Sequence, residues 1–132
     1  MWGAFIGAPV TFGEIMSNKF ALKAWAEPLR SAAFGSITGT LAPLGSPFAY
    51  PARVVFFTNG TDATIYLSWN STSNMFALLP GSSLSLDLTT NKSFDDGLYM
   101  AIGTQAYIAY ESAPTDGTVY LSLVYGTSGV TQ

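Results

Sequence analysis

The side chains that carry most protein chemistry near neutral pH are missing from this sequence, which has no histidine and no cysteine. Without histidine there is no ordinary general base and no imidazole metal ligand. Without cysteine there are no disulfides, thiolate metal sites or sulfur nucleophiles. Carboxylates remain, and a pair of them suffices for glycoside hydrolysis. Asp95 and Asp96 are adjacent, so in an extended loop they point apart. Asp87 and Glu111 meet only if strand register brings them together. Asn91, Asp95 and Asp96 place several hard oxygens in one loop, as Ca²⁺ requires, but the stretch does not follow the EF-hand pattern and reads as a solvated acidic turn. No glycine-rich phosphate loop precedes a helix. The expectation is a non-enzymatic chain with no cofactor and no bound metal. Trp69, Tyr99, Tyr107, Tyr110, Tyr120 and Tyr125 could stack on sugar rings, which makes a carbohydrate-binding module the alternative to simple packing. The sequons at Asn59, Asn70 and Asn91 read as turn chemistry rather than glycan acceptors.

Whatever these residues do, strands must position them. Ala52 to Trp69, ARVVFFTNGTDATIYLSW, sets two apolar runs around Asn59-Gly60-Thr61-Asp62. Val54 to Phe57 are β-branched or aromatic, and Thr64 to Trp69 alternate polar and apolar with period two. Asn-Gly between them is the strongest short-range hairpin signal, so a central hairpin is expected, with Phe56, Ile65, Leu67 and Trp69 in the core and Asp62 capping the turn. Ser82 to Thr89 alternates with Leu84, Leu86 and Leu88 inward. Thr118 to Tyr125 does the same with Val119, Leu121 and Leu123. Short strands are also expected at Met75–Leu79, Leu98–Ile102 and Ala106–Tyr110, and a bulged one over Leu29–Leu41. Ala42–Pro51 reads as a long exposed connection because of its prolines. Ser17–Ala26 fits a helix or a strand equally. About seven or eight strands with regular turn signals describe an all-β, antiparallel β-sandwich or jelly-roll-like domain.

At 132 residues the chain is one domain. Charged residues make up 10% of it and apolar ones 48%, whereas an ordinary domain carries about 25% charged residues. A surface so poor in charge suits a subunit of an assembly. The net charge of −3 disfavours nucleic acid. Its sign is uneven: residues 1–53 carry four basic and two acidic side chains, net +2, and residues 54–132 carry one basic and six acidic, net −5.

Residues 1–16, MWGAFIGAPVTFGEIM, are apolar but broken by Gly3, Gly7, Pro9 and Gly13. The stretch is too short to span a bilayer as a helix, and it lacks the positive start of a signal peptide. No membrane partner is expected. It reads as an extended arm that orders on another chain. The expected organisation is an assembly segment over residues 1–27, a sandwich over 28–126 and a flexible tail over 127–132. The arm residues expected in the interface are Trp2, Phe5, Ile6, Phe12, Phe20 and Trp25.

From Glu27 to Gly126 the wording resembles small β-sandwich structural proteins of tailed bacteriophage virions. The matching pieces are Arg53, Asn59, Thr61 and Asp62 leading to Ser68, then Pro80-Gly81-Ser82 with Leu86, Asp87, Asn91 and Lys92. Gly103-Thr104 follows, and Pro114, Gly117, Val119, Tyr120 and Tyr125-Gly126 close the pattern. The sequence departs at Asn70-Ser71, where such proteins often have Asp-Gly. The resemblance implies a multi-copy capsid decoration, cement or head–tail junction component without enzymatic activity. Its partners would be other copies of itself and the major capsid, portal or tail proteins, and it would assemble in the bacterial cytoplasm and reside in the virion.

Overall fold

A computed structural model describes residues 22–89 and 98–128 of the chain. Within them lie nine strands: β1 (Leu22–Ala26), β2 (Arg30–Ala33), β3 (Ala42–Pro43), β4 (Ala52–Asn59), β5 (Ile65–Ser68), β6 (Phe76–Leu78), β7 (Ser83–Asp87), β8 (Tyr107–Tyr110) and β9 (Thr118–Ser128). The only helical element among the described residues is a 3-10 turn at Phe34–Ser36.

All strand pairs are antiparallel, in two sheets. One has the order β1-β9-β4-β7, with β2 also on β9, and the other has the order β3-β8-β5-β6. β1 pairs with residues 124–128 of β9 and β2 with residues 118–121, so the two lie end to end along one edge. Counted as one interrupted strand, they make the eight strands of a jelly roll, in which consecutive strands mostly alternate between sheets. The inner faces supply the core: Val55 and Phe57 of β4, Ile65 and Leu67 of β5, Ile108 of β8, and Val119, Leu121 and Leu123 of β9 are all buried. Leu84, Leu86 and Trp69 are half-buried against it, and Leu88 is half-buried just past β7.

Ala52–Trp69 is not a hairpin. β4 pairs with β7 and β9 in one sheet, while β5 pairs with β6 and β8 in the other. Both edges of β4 are occupied, so the chain after Asn59 must cross to the opposite sheet. Gly60 does not adopt the positive φ that an Asn-Gly hairpin turn uses. Among the described residues, β5 and β6 are the one pair of consecutive strands that bond to each other.

Phe56 is not a core residue: it is 44% exposed. Four apolar residues run from Val54 to Phe57, so alternation there could point either pair inward. Val55 and Phe57 take the inward positions, and Phe56 lies between Ser85 and Ser122 on the outer side.

Other expectations shift as well. Residues 22–26, placed in the arm and left as helix or strand, are strand β1 of the five-stranded sheet. The strand expected over Leu29–Leu41 ends at Ala33. Leu98–Ile102 contributes only a bridge from Met100 to Ala52. The proline-rich connection after β3 is partly internal, with Leu44 and Phe48 each 1% exposed.

Candidate interaction surface

The crossing from β4 to β5 is held by buried polar groups. Asn59 sits at the end of β4 with its side chain inward and fully buried. Its Nδ2 donates to the carbonyls of Ala63 at 2.8 Å, Leu78 at 2.9 Å and Leu79 at 3.2 Å. Its Oδ1 accepts from the Thr61 amide at 3.0 Å and the Thr61 hydroxyl at 2.7 Å. One amide therefore joins the corner to the end of β6, and this asparagine is occupied rather than free to carry a glycan.

Asp62 does not close a local turn. Its carboxylate accepts from the Thr115 amide at 2.8 Å and from the Thr115 hydroxyl, tying the corner to the loop before β9. These bonds, the hydroxyl first, hold its pKa below the ordinary aspartate value. A carboxyl whose pKa is depressed in the folded state stabilises above its unfolded pKa, and loses that contribution as pH falls through the folded value. Wild type should therefore be more stable than Asp62→Asn at pH 7, and the gap should close below about pH 4. Thermal melts of both proteins across pH 2–7 check this expectation, and a gap that persists at the acid end would refute it.

A second buried polar cluster clasps the break between β1 and β2. Arg30 Nη2 lies 3.0 Å from Glu27 Oε1, with both side chains buried. Arg30 also donates to the carbonyls of Ser46 at 3.0 Å and Pro47 at 3.2 Å. Glu27 accepts from the amides of Ala49 at 3.4 Å and Tyr50 at 3.1 Å. The guanidinium lies 5.5 Å from the centre of the Phe48 ring. A cleft of about 550 Å³ opens beside the clasp between Leu29 and Ser46. The hydrogen bonds made by the pair join the two edge segments to the Gly45–Tyr50 loop, which is a structural task.

The outer face of the five-stranded sheet is different in kind. Phe56 is 44% and Tyr120 42% exposed. Tyr120 stands opposite Thr58 and Phe56 opposite Ser122, so the two rings are diagonal neighbours on adjacent strands, within reach of each other for large side chains. Ser85 and Ser31 flank them on β7 and β2, and Val54 and Val124 continue the face toward β1. Charge enters at one end, at Asp87, whose carboxylate accepts from Thr89 and feels Arg53. Two exposed rings with small hydroxyl side chains beside them make this face the candidate contact surface of the described residues.

The remaining candidates scatter. Trp25 stands opposite Tyr125 on β1, with the Lys23 ammonium 4.4 Å from its ring centre. Trp2, Phe5, Ile6, Phe12 and Phe20 lie outside the described residues, as do Asn91, Asp95 and Asp96. Asp87 ends β7 in one sheet, and Glu111 follows β8 in the other, so strand register does not pair them. No group of three metal-ligating side chains occurs among the described residues. No helix among the described residues is long and apolar enough to cross a membrane. Of the proposed sugar-stacking rings, Trp69 packs edge-on against Phe48 and Phe76, and Tyr107 and Tyr110 are half-buried. Tyr125 lies flat against Tyr50 at 4.0 Å, and Tyr99 is exposed in the loop before Met100. Asn70 accepts from the amides of Thr72 and Ser73, each at 3.0 Å, as a turn residue does. Phe56 reads as a core residue in the sequence, and its two cross-strand partners, both serines, mark the solvent-side row only once the pairing is known.

No protein-family model matches the chain, and no curated protein matches it.

Proposed function

We propose that this chain is a non-enzymatic, multi-copy structural subunit of a bacteriophage virion, contacting neighbouring capsid, neck or tail subunits through its apolar N-terminal segment and its sandwich surface. The observation that carries this reading is the outer face of the five-stranded sheet, with two exposed rings at its centre and charge at only one end. The low overall charge of 10% points the same way, because such a surface gains by being covered. The resemblance from Glu27 to Gly126 supplies the virion setting. Jelly rolls serve viral capsids and lectins alike, so the fold by itself does not choose between them.

Native mass spectrometry of the full chain giving a ring would favour the neck or tail. Quantitative mass spectrometry of purified particles should find the chain in many copies per particle. A monomer at micromolar concentration would favour a late-adding decoration protein over a neck or tail ring, and absence from the particles would overturn the reading. Carbohydrate binding is the second reading, favoured by the pairing of the Phe56 and Tyr120 rings with neighbouring hydroxyls, a combination that can stack on a sugar and bond to it. A glycan-array signal from the monomeric chain would install that reading in place of the first.

A further inference from the structure

We propose that the outer face of the five-stranded sheet, centred on Phe56 and Tyr120, is the seat for residues 1–16 of a second copy of this chain. This rests on the assembly reading above and names the two surfaces that meet.

The two surfaces match chemically. The face offers Phe56 and Tyr120 with Val54 and Val124 beside them, and serine and threonine around the rings. Residues 1–16 contain Trp2, Phe5, Ile6 and Phe12 and a single charged side chain, Glu14. Neither surface has a charge at its centre that docking would leave buried and unpaired, which is the costly outcome at an interface. Glycines and a proline break the segment into short pieces, so it can lie extended across a sheet face with its large side chains as separate anchors.

The chain path favours a second copy over the chain's own face. β1 begins at Leu22, opposite Ser128, and runs toward Ala26, opposite Val124. β4 reaches only as far as Ala52, opposite Tyr125. At Leu22 the strand axis therefore lies beyond the end of β4 and leads, read backward, away from Phe56. β1 therefore enters its sheet at the end farther from Phe56. Sixteen extended residues span roughly 50 Å, while a chain of this length has a radius of gyration of about 14 Å. The segment is long enough to cross a neighbouring copy.

The test places a photo-crosslinking phenylalanine analogue at position 56 of the full chain. Position 56 is exposed and flanked by serines, so the change leaves the core untouched. Isotopically heavy chains are mixed with light ones, and cross-linked peptides are mapped by mass spectrometry. Heavy–light links between position 56 and residues 1–16 are expected. In parallel, Phe56→Ser and Tyr120→Ser should each weaken self-association by at least about tenfold while leaving the melting temperature nearly unchanged. Links confined to one chain would overturn the proposal in favour of docking on the chain's own face. Oligomers that form without any link to residues 1–16 would overturn the pairing and spare the assembly reading. A full-length chain that stays monomeric would overturn docking on a second copy, whereas absence of the chain from particles would overturn the virion reading itself.

Discussion

Asn59→Leu should destabilise the protein by about 5 kcal/mol, enough to lower its melting temperature by 15 °C or more. The substitution keeps much of the volume and removes every hydrogen bond of the side chain. The carbonyls of Ala63 and Leu78 lose this donor, and the Thr61 amide and hydroxyl lose their acceptor, while the Leu79 carbonyl keeps the Ser82 amide and hydroxyl. Asn59 is 0% and Thr61 4% exposed, so water does not readily replace the lost partners. A buried polar group left without a partner costs about 1–3 kcal/mol, and several are stranded at once. Some relief comes from the Thr61 hydroxyl, which also reaches the Ala63 carbonyl at 3.0 Å. Chemical denaturation of the variant measures the loss. A change below about 1 kcal/mol would mean that the corner repacks without this amide.

Gly117→Ala should cost about 4 kcal/mol for a different reason. Gly117 has φ +99°, where side chains are rarely tolerated, and a Cβ there would sit 2.0 Å from the Gly60 carbonyl oxygen and 2.7 Å from Thr61 Cα. These are backbone atoms of the same corner that Asn59 holds, so no rotamer change relieves the collision. The loop before β9 would have to move away from Gly60 and Thr61, breaking the hydrogen bond that the Gly60 amide donates to the Thr118 carbonyl. Because β9 pairs with β1, β2 and β4, the damage reaches the whole five-stranded sheet. Gly81→Ala is the control. Gly81 also has positive φ, at +77°, but a Cβ there meets nothing within 4 Å. It should cost only the backbone strain, about 1–2 kcal/mol, and equal losses at both glycines would remove the collision as the cause.

These two variants test the scaffold. They leave the outer face alone, so they separate stability from assembly: a less stable chain that still associates shows that the contact surface lies elsewhere than the corner. Conversely, Phe56 and Tyr120 can be changed without touching the core, since each points away from it.

Much of the fold was legible in the sequence for simple reasons. Alternation in Thr118–Tyr125 is clean, and it correctly names Val119, Leu121 and Leu123 as inward because each inward residue is flanked by an outward one of different character or size. Ile65 and Leu67 follow from the same pattern. The all-β class and the low surface charge need only composition and spacing. The low charge was legible too, but not which sheet face carries the two exposed rings.

What only the tertiary structure decided is the partner of each strand. Asn59-Gly60 is a good hairpin signal locally, but β7 and β9 already occupy both edges of β4, and the chain crosses between sheets. That choice depends on residues that lie 25 to 73 positions away, and no local pattern carries it. It also decided the fate of Phe56: in the run from Val54 to Phe57 the local signal is equal for both faces, and the serines opposite on β7 and β9 settle which one is outside. The same holds for Glu27 and Arg30, which look like ordinary surface charges until the Gly45–Tyr50 loop folds over them and supplies the amides and carbonyls they need. Composition and period determined that this chain makes sheets with little charge to show; long-range pairing determined which face was left uncovered.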